Sequence, residues 1–507
     1  MLLLRVLLGA ALGSAAFTPT KCGLGEKSML TSFGADVLRD CLSGSSSERS
    51  CTPLPEHPRP TMTRPHHRVL NGLWQWEPAA VGHPEAPGPG APPFGRPLNG
   101  TILVPFPVES CLSGVRLELQ RVQQKAMWYR LVFDADGLVT AGGTARLHFG
   151  AVDWMSAVYL NGAELGTHTG GYSGFSFTLS GAFDLKPTAN ELIVWAYDPS
   201  DAGSQPMGKQ RVGSIAAPGG DRYTPTSGIW QSVWIEPVAA QHILQLRTDA
   251  NLTHLHLLVN ATRGSAAFSV IVEGANTTAR GVSGALLAVA IPAPRRLWSP
   301  EHPNLYNITV TLASGDSVRS YFGMRTFGLG SVRGSGVTVT RPLLNGNFTY
   351  AAGWLDQSWW PDGQYVAPTD EGLRSDLLAA KSFGFNMVRL HQKVNPERWY
   401  YWADRLGVMV FQDAVQHFGD RPSLEHFTDD LTRMISERYS HCSIVQWNIF
   451  NEGDCVKAFL QSSPQTPSNL VDLVRRLDPS RLVDVNSGGP ANGYGLGDVN
   501  DIHDCEL

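Results

Sequence analysis

The sequence predicts a multidomain β plus α/β protein, two β-sandwiches followed by an incomplete α/β barrel. Three observations carry this. At 507 residues the chain exceeds one ordinary domain. From Leu70 to about Phe327 it reads as short alternating segments cut by Gly, Pro and Asn. From roughly Val337 the hydrophobic period changes from two to about 3.6, and strands begin to alternate with helices.

The first element is "MLLLRVLLGAALGSAAFT", with Arg5, an apolar run and small residues around Ser14 to Ala16. It has the form of a secretory signal, taken as residues 1–16, and is too short for a membrane span. Residues 17–65 are rich in Ser, Pro and charge and read as a poorly ordered lead-in. Residues 66–237 form the first sandwich. Within it, "ARLHFGAVDWMSAVYLNGAELGTH" holds two strands around Asn161-Gly162, residues that tolerate the positive φ of a hairpin turn. "NELIVWAYD" and "QSVWIEPV" are further strands, and "HPEAPGPGAPPFGRP" is a surface loop. Residues 238–328 are all-β again, at a length that suits an immunoglobulin-like sandwich.

Residues 329–507 supply the α/β part. Strand candidates are "FTYAAG", "NMVRL", "VMVFQD", "SIVQW", "RLVDVN" and "DVNDIHD". Between them lie helices. One presents Leu373, Leu377 and Leu378. A second is capped by Asn395, begins at Pro396 and stops at Gly407, and a third turns Leu424, Phe427, Leu431 and Ile435 inward. Such alternation argues for a parallel sheet with crossover helices.

Composition narrows the function. Hydrophobic content of 42% with 17% charged residues describes a globular chain. A net charge of -5 gives no basic footprint, so nucleic acid is not an expected partner. No later segment has the roughly 18 apolar residues that a membrane helix needs. Sequons stand at Asn99, Asn251, Asn260, Asn276, Asn307 and Asn347, each marking an exposed turn if glycosylated. The seven cysteines show no metal-ligand pattern, and disulfides are expected among Cys22, Cys41, Cys51 and Cys111. The expectation is a chain of the secretory lumen or beyond it, with no cofactor and no metal.

In an α/β barrel, working residues sit just past the C-terminal ends of the strands. Those ends give Arg389, His391, Asp413, Asn451, Glu452, Asn486 and His503. One such residue is ordinarily structural; a series pointing into one crevice is not. The stretch "SIVQWNIFNEGD" poses the choice sharply. Its amide and carboxylate are either a strand running into solvent or a catalytic acid at a barrel mouth.

At these residues the chain resembles glycoside hydrolase family two, the retaining family of β-galactosidases, β-glucuronidases and β-mannosidases. "LNGLWQW", "VPFPVESCLSGV" and "YTPTSGIWQSVWIEP" resemble its sugar-binding sandwich. "GWLDQSWWPDGQYVAPTDE" resembles the start of its barrel, and "HCSIVQWNIFNEGD" its acid/base motif. The resemblance implies a jelly-roll β-sandwich, an immunoglobulin-like β-sandwich and an incomplete (β/α)8 TIM barrel of about six strands. It implies hydrolysis of β-linked sugars, with Glu452 as general acid/base and Asn451 on the sugar 2-hydroxyl. Arg389, His391, Asp413, Trp447 and His503 are then substrate-binding, with Trp447 and Phe450 raising the pKa of Glu452. Trp359 and Trp360 read equally as sugar-stacking rings or as core.

Retention needs a second carboxylate, which the family carries on the seventh strand in a segment resembling Gly-Glu-Phe-Gly. That segment is absent here, and Asp504 and Glu506 follow the sixth strand, too far round. The motif also continues as Gly453-Asp454 where this branch carries Gly-Trp. The expectation is a barrel truncated before its last two strands and inactive as written. The alternative is a non-catalytic secreted carbohydrate-binding protein.

Overall fold

The structure, a computed structural model, describes residues 30–41, 51–83, 86–115, 123–138, 144–183, 185–334, 336–419, 421–489, 495–499 and 501–503. The signal-like leader, Cys22, Asp504, Cys505 and Glu506 lie outside the described residues.

The first sandwich packs a six-stranded antiparallel sheet on a four-stranded one. Trp74, Ile102, Tyr129, Val158 and Val194 of the first face Leu147, Phe149, Val233 and Ile235 of the second. Leu147 and Phe149, like Val233 and Ile235, stand two apart on their strands, so one face of the pleat turns inward. The Asn161-Gly162 hairpin forms as expected: both residues have positive φ, joining Met155–Leu160 to Ala163–Thr169. The proline-rich insert is not simply a loop in solvent. Its Phe94 packs on Tyr159, helping to cover the outer face of the six-stranded sheet, where Trp128 and Trp195 lie.

The second sandwich has three strands against four around Leu255, Leu257, Val270, Ile308 and Val310. An antiparallel hairpin, Phe327–Gly334 with Val337–Leu344, follows it. The change of period therefore comes later than Val337.

The last part is a five-stranded sheet with every pair parallel. Its strands are β1 (Gly353–Asp356), β2 (Met387–Leu390), β3 (Met409–Asp413), β4 (Ile444–Asn451) and β5 (Leu482–Ser487). Helices α1 (Asp370–Ser382), α2 (Glu397–Leu406), α3 (Leu424–Arg438), α4 (Asp454–Ser462) and α5 (Thr466–Leu477) fill the crossovers. Thr369 caps α1 by accepting from the Gly372 amide, and Ser423 caps α3 through His426. Gly407 ends α2 in the left-handed region as expected. Asn395 does not cap that helix; its amide group instead donates to Ser358. Of the six strand candidates, "FTYAAG" lies one step too early, since β1 begins at its last residue. "DVNDIHD" gives only an isolated bridge from Val499 to Asp484.

The lead-in differs most from expectation. Ser32–Cys41 is a helix whose Val37 and Leu38 join the barrel core, Thr31 bonds Asp362, and a Cys41–Cys51 disulfide closes the loop behind it. Arg64 is buried between Glu236 and Asp316, linking the lead-in to both sandwiches. Seams to the barrel are as well knit. Arg325 donates to the carbonyls of Cys442 and Ile444 at the start of β4. Asp404 accepts from Tyr321 and the Ser443 amide.

Candidate active site

Side-chain parity on the parallel strands builds the site. Met387, Met409, Phe411, Val445 and Leu482 fill the lower barrel, and the Phe327–Leu344 hairpin packs against them from below. One layer up, the inward positions are polar: Arg389 on β2, Asp413 on β3, Asn448 on β4 and Asp484 on β5. Apolar side chains support this layer from beneath, so its charges must pair with one another.

They do so through Asp413, which accepts four hydrogen bonds. Arg389 donates to both oxygens at 3.0 and 2.8 Å, His391 Nδ1 at 2.5 Å, and Asn448 at 2.7 Å. Burial pushes this carboxyl up, but Arg389 and His391 outweigh it and hold it below the ordinary range. Burial lowers the His391 imidazole, which Asp413 only partly offsets. Arg389 also donates to Asn451 Oδ1 at 2.8 Å, which turns the Asn451 amide nitrogen outward as a donor.

Glu452 stands at the mouth. The chain turns there through two left-handed residues, Glu452 at φ 54° and Gly453 at φ 88°. A non-glycine residue in that region is strained, and such strain collects at functional sites. The turn leaves the carboxylate 57% exposed, with Oε1 2.8 Å from His503 Nδ1. The other ring nitrogen of His503 lies 3.0 Å from Arg389 and 3.1 Å from Ser487 Oγ. A guanidinium can only donate, so Nε2 accepts and Nδ1 carries the proton that it gives to Glu452. This hydrogen bond holds the Glu452 carboxyl below its usual range, against the opposing effect of burial.

That result corrects the expected aromatic flank. Trp447 is fully buried and donates its indole N–H outward to Asp478 at 2.9 Å. Phe450 stacks on Phe427 of α3, behind the sheet. Both point away from the crevice, so neither touches Glu452 and Trp447 does not bind substrate. Trp359 also differs: it stacks on Tyr223 at 4.4 Å and packs against Tyr365 at 4.3 Å, so its neighbours are protein rings. Trp360 packs edge-on to Phe33. The structure thus joins Arg389, His391, Asp413, Asn451, Glu452 and His503, and excludes Trp447. Asn486 is buried beside this layer without bonding to any of them.

Four participants were not read from the sequence. Asn448 and Asp484 lie on the inward parity of their strands, a legible signal. Ser487 and Asp501 bond each other at 2.5 Å and hold the segment carrying His503; nothing local marks them. The first sandwich adds a wall as well. Met207 and Gly208 donate to the Gln416 carbonyl, which brings Lys209 to Phe418 at the barrel mouth.

The model of glycosyl hydrolases family 2 matches residues 232–325, and that family's TIM barrel domain matches residues 362–502. The chain belongs to glycosyl hydrolases family 2. A putative beta-glucuronidase of Formosa agariphila is 27% identical over 66% of this chain and 42% of its own length. A beta-galactosidase of Thermoanaerobacterium thermosulfurigenes is 24% identical over 66% of this chain and 47% of its own. The chain therefore spans less than half the length of these two relatives. Among solved structures, a GH2 beta-galacturonidase from Eisenbergiella tayi bound to galacturonate superposes with TM-score 0.67 at 20% identity. It covers 86% of this chain and 74% of that one. The beta-glucuronidase of Faecalibacterium prausnitzii gives 0.65 at 22%, over 85% and 74%. At such identities the structures bear on the fold alone.

Proposed function

We propose that this family 2 chain carries the acid/base half of a retaining β-glycosidase site. The carrying observation is Glu452, set out by a strained turn at the barrel mouth beside Asn451 and hydrogen-bonded by His503. Glycosidic oxygen leaves well only when protonated, and a carboxyl at this position can supply the proton. Sugar lying over Glu452 removes it from water, which raises its pKa toward the protonated form needed for the first step. After the leaving group departs, the ionised form favoured by His503 is the one that activates water. Asn451 is oriented by Arg389 to donate to a ring hydroxyl, an interaction that strengthens as oxocarbenium character develops.

Double displacement requires a second carboxylate about 5–5.5 Å from the first. Asp413 is saturated by its four donors. Asp484 is pushed up to about 8 by burial and by Asp501, and so is protonated at neutral pH. Neither suits a nucleophile, so among the described residues only the acid/base half is present; the second reading is a carbohydrate-binding chain without turnover. Offering aryl β-galactoside, β-glucuronide and β-mannoside, and following the first-released anomer by NMR, separates the two. In a form of the protein that also carries a nucleophile the first reading expects release with retention; saturable binding without release supports the second.

The same proposal extends to the setting of the protein. The disulfide, the leader-like N-terminus and the exposed sequons Asn99, Asn276, Asn307 and Asn347 fit a glycoprotein of the secretory lumen or beyond. Asn251 and Asn260 are half-buried. Among the described residues no helix is long and apolar enough to cross a membrane.

A further inference from the structure

A cleft of about 310 Å³ separates the second sandwich from barrel helix α2, and none of its lining belongs to the Arg389–Asp413 cluster. Strands Tyr306–Leu312 and Ser317–Phe322 of the sandwich bring Asn307, Arg319 and Tyr321 to it, α2 brings Tyr401 and Arg405, and the lead-in brings Thr63. Ser317–Phe322 ends its sheet. Thr63 exchanges two backbone hydrogen bonds with Arg319, both 2.8 Å, so the lead-in covers that edge and forms one rim. The floor is aromatic: Tyr321 stands directly across from Asn307 in the strand register and meets Tyr401 edge-on at 5.6 Å.

Asn307 opens the sequon Asn-Ile-Thr and is exposed on this cleft, with Nδ2 3.4 Å from Glu273 Oε2. It therefore stands within a strand at a seam between domains, not on the exposed turn that the sequon suggested. The groups around it are donors. Arg319 and Arg405 are exposed, and neither forms an ion pair among the described residues. Arg405 lies over the Tyr401 ring at 5.5 Å, which holds its guanidinium at the mouth of the cleft. Guanidinium N–H groups can only donate, and the hydroxyl and acetamide oxygens of a sugar accept.

We propose that Asn307 carries an N-linked glycan whose first N-acetylglucosamine fills this cleft and braces the second sandwich against α2. The volume is that of a small-ligand cleft, the Tyr401 ring meets the apolar side of the sugar, and Arg319 and Arg405 meet its oxygens. The inference rests on the secretory reading, because the donor is a lipid-linked oligosaccharide pyrophosphate. Asn307 Nδ2 bonds to the anomeric carbon, and the bond from that carbon to the phosphate oxygen breaks. The amide proton passes to a base of the transferase, and the lipid pyrophosphate leaves with the electron pair. One N–H remains on Nδ2, enough to keep the contact with Glu273.

The test uses the full chain secreted from a eukaryotic host. Release by peptide N-glycosidase in heavy-oxygen water, followed by peptide mass spectrometry, reads which sequons are occupied, and Asn307 is expected among them. Hydrogen exchange then reads the brace. Thr309→Ala removes the sequon and leaves Asn307 in place. It is expected to speed exchange in Glu397–Leu406 and Ser317–Phe322 about five-fold, the effect of one net hydrogen bond on local opening. Thr309→Ser keeps the sequon and is expected to retain native protection, and Asn347→Gln, on the exposed hairpin, to leave both segments unchanged. Arg405→Ser is expected to speed exchange in the glycosylated chain and to do less in the Thr309→Ala background. Glycans elsewhere with Asn307 bare, protection unmoved by Thr309→Ala, or an equal effect of Arg405→Ser in both backgrounds overturns the brace. A chain bare at every sequon overturns the secretory reading, and the brace with it.

Discussion

Replacing Arg389 with Met tests the physics of the polar layer. The guanidinium makes two bonds to Asp413, one to Asn451 and one to His503. Without it Asp413, 2% exposed, keeps only His391 and Asn448. Breaking one partner of a buried pair costs about 3–5 kcal/mol. The two remaining donors place this case at the lower end, about 3 kcal/mol, or roughly 6–12 °C in melting temperature. The loss must depend on pH. With Arg389 present the Asp413 carboxyl is held below its unfolded value of about 3.9, so its contribution is full above that value and fades as pH falls. Without Arg389 burial dominates, the folded pKa rises, and the variant loses stability as pH climbs through it. The gap between the two proteins should therefore be widest at pH 7 and close toward pH 3–4. Urea denaturation followed by tryptophan fluorescence reads this directly. Adding Asp413→Asn to Arg389→Met should restore at least about 1 kcal/mol, because the stranded charge is gone. A double variant no more stable than the single one, or a pH-independent gap, refutes the reasoning.

Other outcomes follow from the same structure. Burial lifts Glu109 and Asp430 to about 7 and Asp198 to about 6, above unfolded values near 4, so the folded state holds extra protons between those limits. Their stabilisation is full below about pH 4 and is lost as pH rises through 7. Melting temperature should fall from pH 5 to pH 8, and Glu109→Gln with Asp430→Asn should flatten that slope. Opening the Cys41–Cys51 disulfide, whose partners are 10 residues apart, should cost about 2.7 kcal/mol by loop entropy. Cys41→Ser with Cys51→Ser should show that loss in urea melts, with the protease sensitivity of the Ser32–Cys41 helix rising first.

The barrel was legible because its signals are local: apolar strand cores, inward parity, and polar residues where strands end. Arg389, Asp413, Asn451 and Glu452 all follow from reading strand ends alone. Trp447 misled because closeness in sequence to Glu452 is not closeness in space; on a strand, neighbours face opposite ways. The helix Ser32–Cys41 escaped because it is a single short amphipathic run amid Ser- and Pro-rich sequence. Its partner surface, Asp362 and the barrel core, lies more than 300 residues on. His503 could be named but not its role, since Ser487, Asp501 and Arg389 fix its tautomer through contacts that no local pattern encodes.

The central claim is that the carboxyl at 452 moves the proton of the departing alcohol. Its most direct measurement is the leaving-group dependence of Glu452→Gln, in a form of the protein that turns over aryl β-glycosides. The account predicts a fall on the order of 10²–10⁴ for alkyl and phenyl glycosides, little change for dinitrophenyl ones, and partial rescue by azide. Equal loss across all leaving groups, or none, contradicts it.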